Sequence, residues 1–60
     1  MALVKLKCSN RDEVVINTDD ISNIYVDRGF SYVDYVVKMK TGDAFSLDYE
    51  SYNKLLNAAQ

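Results

Sequence analysis

Residues 31–47 read SYVDYVVKMKTGDAFSL, and the parity of this stretch decides the fold. Val33, Tyr35, Val37 and Met39 fall on one side of an extended chain; Tyr32, Asp34, Val36, Lys38 and Lys40 fall on the other. Successive side chains of a strand point to opposite faces, so the first set reads as core and the second, which holds all the charge, as the solvent face. Thr41, Gly42 and Asp43 give a compact turn signal, after which Phe45 and Leu47 point inward from a short last strand. The stretch is therefore a β-hairpin with arms at about 31–40 and 44–47.

Downstream, LDYESYNKLLNAAQ has the grammar of a helix start. Asp48 is placed to accept hydrogen bonds from the free amides of the first turn, and Leu47 before it to pack on Tyr52. Glu50 sits near the positive end of the helix dipole. Tyr52, Leu55, Leu56 and Ala59 form one stripe at helical spacing, which predicts a helix over about 49–59. A helix this short is marginal alone and must dock on the sheet.

Upstream, Ala2, Val4, Leu6 and Cys8 alternate with Leu3, Lys5 and Lys7, the period of a half-buried strand at 2–8. Cys8 reads as a small core residue. The turn formers SNRDE lead to a β-branched run at Val14, Val15 and Ile16, so a second strand is expected at 13–17. In NTDDISNI the isoleucines Ile21 and Ile24 are three apart, and one helical or 3₁₀ turn is expected to drop both inward. A strand at 24–28 and a tight connection at DRGFS, with Gly29 able to take positive φ, complete a further hairpin. The predicted class is α+β: a small antiparallel meander of four or five strands, twisted or partly barrelled, closed by one C-terminal helix.

Composition narrows the function. Sixty residues beginning at Met1 are expected to be one complete domain, and so short a chain buries a marginal core. Cys8 is the only cysteine and histidine is absent, so an intramolecular disulfide, a Cys/His zinc site and imidazole-dependent catalysis all lack their residues. No cofactor or metal is expected, and self-association, as a homodimer or larger, is the remaining means of adding buried surface. Lys5 and Lys7 interrupt the apolar N-terminus, which excludes a signal peptide of the usual form, and no apolar run is long enough to span a membrane; a cytoplasmic location is expected. A formal charge of −2 offers no footprint for a nucleic-acid backbone.

The octamer RGFSYVDY at 28–35 resembles the signature of RNA-recognition motifs, Lys/Arg-Gly-aromatic-Gly/Ala-aromatic-Val-x-aromatic, departing from it at Ser31. Carried over, the resemblance implies base stacking on Tyr25, Phe30 and Tyr32 and a phosphate held by Arg28. That fold, however, needs a helix between its two motifs, a second helix and about eighty residues, whereas here the motifs abut. The octamer is read as a coincidence of an amphipathic strand. The same aromatics suit a protein contact, because tyrosine gives rigid area with a hydroxyl that tolerates water. The expected partner surface is Tyr25, Arg28, Phe30, Tyr32 and Asp34. Single-stranded nucleic-acid binding through this face is one alternative; a phage or mobile-element inhibitor presenting Asp27, Asp34, Asp48 and Glu50 to a basic host site is another.

EVVIN, then DDISNIY, then VVKMKTGDAFSLDYESYNKLL also resembles the small flagellar and swarming-motility proteins of the FlbD type, with Asn17, Ile21, Ile24, Gly42 and Glu50 at the matching positions. The resemblance spans roughly residues 4–56, and the longer VDRGFSYVDY hairpin departs from it. It implies a non-enzymatic cytoplasmic accessory protein that acts through contacts.

Overall fold

The alternating periodicity becomes five strands and one helix in the computed structural model, which describes residues 2–59, with only the backbone of Ala59. Met1, Gln60 and the last position of the helical stripe lie outside the described residues. β1 (Leu3–Lys7) and β2 (Glu13–Asn17) are followed by a 3₁₀ turn at Thr18–Asp20, then β3 (Ile21–Arg28), β4 (Val33–Met39), β5 (Ala44–Leu47) and α1 (Tyr49–Ala59). The strands form two antiparallel sheets, one of β1 and β2 and one ordered β3-β4-β5. The fold is α+β, and no closed barrel forms: among the described residues the sheets are joined by the isolated bridge of Cys8 with Leu47.

The inward residues of the strands and one helical residue make the core: Val4, Leu6, Ile16, Val37, Met39, Leu47 and Leu55 are buried together. Turn chemistry sets the registers around them. Gly42 takes φ 99°, a conformation that side chains disfavour, and Met39 N–H donates to the Asp43 carbonyl at 2.8 Å. In the first hairpin the left-handed position falls on Arg11, at φ 75°, where Cβ sterics cost roughly 1 kcal/mol. Asn10 holds that turn by accepting from the Asp12 amide at 3.1 Å.

Three expectations are corrected. The 3₁₀ turn ends before Ile21, which opens β3; a bulge between Ile21 and Asn23 then shifts the alternation by one, so both isoleucines, half-buried, reach the core. On β4, Val36 belongs to the charged face yet is only 7% exposed, because β4 is the central strand and Tyr25 and Ser46 stand opposite it on either side. Val33 belongs to the core face yet is 47% exposed, since the hairpin runs past the end of the core.

The helix closes the open edge of β1. Ser51 is buried, and its hydroxyl oxygen accepts from the Lys7 amide at 2.7 Å; the Asp48 amide donates to the Lys7 carbonyl at 3.1 Å; Lys54 Nζ donates to the Lys5 carbonyl at 3.1 Å. Asp48 caps α1 as its sequence position implies, accepting from the Ser51 amide at 2.8 Å. On the sheet side, Tyr35 sits between Tyr52 and Tyr49, with ring centroids at 4.7 and 5.5 Å.

Two outcomes follow from this edge. Ser51→Ala leaves the Lys7 amide without its acceptor and is expected to lower stability by about 1 to 3 kcal/mol in denaturant titrations, far more than an exposed helical serine; an unchanged midpoint would contradict it. The bonds from Ser51, with a smaller contribution from Lys7, hold the Asp48 carboxyl below its ordinary pKa, so its stabilising effect is full above the usual aspartate range and is lost as pH falls through the folded value. Stability should therefore drop on acidification below about pH 4, and Asp48→Ala should be less stable at neutral pH but closer to the parent at pH 2.

Candidate functional site

The second hairpin, formed by β3 and β4, carries all five expected surface residues, but only Arg28, Phe30 and Tyr32 lie at its turn. Arg28 and Val33 are the last register partners, and the loop Gly29–Tyr32 is closed by the Gly29 amide donating to the Tyr32 carbonyl at 3.0 Å. Phe30 at the tip is fully exposed, and Tyr32 beside it is 57% exposed. With Val33 they form an apolar end that no element of the chain covers among the described residues.

Gly29 serves this end differently from expectation. Its φ is not positive; its missing Cβ leaves space for the Tyr32 ring, whose nearest carbon lies 2.0 Å from where that Cβ would stand. An aromatic ring lying over a glycine shields backbone that would otherwise be bare, and it fixes where Tyr32 is presented.

Tyr25 lies further down β3 on the outer face, 41% exposed and opposite Val36. It is separated from the tip by Asp27, which pairs in register with Asp34. Asp34 is half-buried, and its Oδ2 accepts from Ser46 Oγ at 3.2 Å, so it is engaged within the sheet. The five expected residues thus divide into a tip group of Arg28, Phe30 and Tyr32, Tyr25 on the sheet face, and Asp34 in an acidic row between them. Sequence reasoning missed Val33 as part of the tip, because parity assigns it to the core and only the length of the hairpin relative to the core exposes it.

Elsewhere the chemistry is quiet. An open cleft of about 490 Å³ lies between the first hairpin turn and β5, lined by Cys8, Asp12, Val14, Phe45 and Ser46 among others. Burial, followed by the Asp12 and Asp48 carboxylates, pushes the Cys8 thiol up, away from the thiolate form that nucleophilic chemistry needs. A second cleft beside α1 mixes Lys5, Lys7 and Lys54 with Glu13 and Glu50, and Lys5 already pairs with Glu13 at 2.8 Å. No helix among the described residues is long and apolar enough to cross a membrane. No protein family, curated protein or solved structure matches this chain.

The Asp27 and Asp34 pair generates a test. Like charges directly opposite on a sheet destabilise it, so Asp27→Asn is expected to raise stability by about 0.5 kcal/mol. For a domain of this size that is roughly 2 to 4 °C in Tm, shrinking as salt is added. An unchanged or lower Tm at low salt would show that the pair carries no repulsion.

Proposed function

We propose that this chain is a small, non-enzymatic binding or regulatory protein that acts through protein–protein contacts and associates with itself. The observation that carries the reading is the tip of the second hairpin, where Phe30, Tyr32 and Val33 are exposed together beyond the core beside Arg28. Large aromatic area left in water is costly to solubility and is enriched where proteins meet. The aromatic and arginine content also matches the residues that dominate binding energy at interfaces. The cytoplasm is the proposed location.

The acidic neighbours favour a protein over a nucleic acid. Asp27 and Asp34 flank the tip on the strand pair that bears it, and the chain carries −2 overall, so a phosphate backbone would be repelled where the aromatics would stack. The proposed partner accepts apolar side chains at its centre and tolerates or complements carboxylates at its rim.

Phe30→Ala with Tyr32→Ala removes the tip's aromatic area without touching the core. The double variant is expected to keep the parent's Tm within about 2 °C and to lose a protein that the parent captures from its native host. Equal capture by both chains would overturn the tip as the contact. Oligonucleotide binding that weakens with salt and with the same double variant would put single-stranded nucleic acid in its place.

A further inference from the structure

β3 borders a single strand, β4, so one of its edges has no hydrogen-bonded neighbour among the described residues. Which backbone groups line that edge follows from the loop. The Gly29 amide bonds the Tyr32 carbonyl, so position 29 opposite 32 is a hydrogen-bonded pair, and alternation makes Asp27 with Asp34 and Tyr25 with Val36 bonded pairs too. The amides and carbonyls of Ile24, Val26 and Arg28 therefore point away from β4. Eight residues long and without lysine or proline, β3 carries as guards of its edge the bulge before Asn23 and the charges of Asp27 and Arg28 at its far end, which leave Asn23 to Val26 uncharged.

We propose that this edge pairs with the same edge of a second copy, antiparallel about a two-fold axis at Tyr25, joining two three-stranded sheets into one of six strands. The proposal rests on the self-association proposed above and gives it a surface and a register.

The register is selected by pairing rules. The free backbone groups must face each other and the buried face must stay on one side, which permits an axis at any residue from Ile24 to Arg28. One at Ile24 sets Val26 against Ser22 in the bulge and one at Arg28 sets two guanidinium groups opposite each other, so axes at Tyr25, Val26 and Asp27 remain. An axis at Asp27 sets the two Asp27 carboxylates directly opposite, which is destabilising. An axis at Val26 sets the Arg28 guanidinium against Ile24 of the other copy. An axis at Tyr25 opposes Tyr25 to itself in a close, non-hydrogen-bonded pair; it opposes Ile24 to Val26 on the inner face and Asn23 to Asp27 on the outer, where an amide donates to a carboxylate. Only this register satisfies every side chain from Asn23 to Asp27. It also covers Tyr25, which is 41% exposed in the single chain.

Sedimentation of the parent is expected to give twice the monomer mass of 6.8 kDa. Tyr25→Lys, an exposed position that sets two ammonium groups opposite each other, should raise the dimer Kd by about tenfold or more with the circular dichroism spectrum intact. In a Cys8→Ser background, Tyr25→Cys should form a disulfide-linked dimer under mild oxidation, and Val26→Cys should not. A parent that stays monomeric at millimolar concentration overturns self-association itself. A dimer indifferent to Tyr25→Lys, or cross-linked equally by both cysteines, overturns this edge and register while leaving self-association standing. Tip docking is judged separately, by the Phe30 and Tyr32 variant.

Discussion

The interaction on which the molecule depends is the closure of the β1 edge by the start of α1. Lys7 gives its amide to Ser51 and receives the Asp48 amide at its carbonyl, one residue before Cys8 bridges Leu47. Those few bonds do three things at once. They satisfy backbone groups that would otherwise be half-buried and unpaired, they orient the helix so that Leu55 enters the core, and they hold two small sheets together. The two-stranded sheet is marginal on its own and the three-stranded one stands at the lower limit of independent stability, so the seam supplies register specificity that hydrophobic burial alone does not.

From that seam the structure divides into a packed body and a projecting ribbon. β1, β2, β5, α1 and the first half of β3 gather around the inward residues of β4, while the end of β3 and the start of β4 continue beyond them. The tyrosines follow the same division. Tyr35 and Tyr52 lie ring against ring between sheet and helix, with the exposed Tyr49 against the other side of Tyr35, whereas Tyr25 on the outer sheet face and Tyr32 at the tip touch no other ring among the described residues. One residue type thus serves adhesion within the body and solvent-facing area outside it, and only three-dimensional position separates the two uses.

Much of this was legible in the sequence because it is set by local rules. Alternation in LVKLK and VDYVVKM, the glycine turn at Gly42, and Asp48 as the helix cap are all decided within a few residues of themselves. What escaped is set by strand order or by close approach. Ser51 reads as an ordinary polar residue of a helix, and its partner is a strand amide 44 residues away. The burial of Val36 requires knowing that β4 is central, and although the inward placement of Ile21 and Ile24 was legible, the bulge that achieves it within β3 is announced by no local pattern. For the candidate site, exposure of Phe30 and Tyr32 was foreseen from the hairpin; the role of Gly29 as a seat for the Tyr32 ring, and the engagement of Asp34 by Ser46, were not.

The overhang of the second hairpin separates two kinds of selection along the chain. Residues at the seam answer to folding, and few replacements there leave a stable molecule. Phe30 and Val33 answer to little inside the protein, and Tyr32 only to its seat over Gly29, so the chemistry of the tip is at liberty to drift one codon at a time while the body persists unchanged. Such a layout makes the tip the part of this molecule most readily rewritten, by nature or at the bench, and the body a handle on which different tips can be carried.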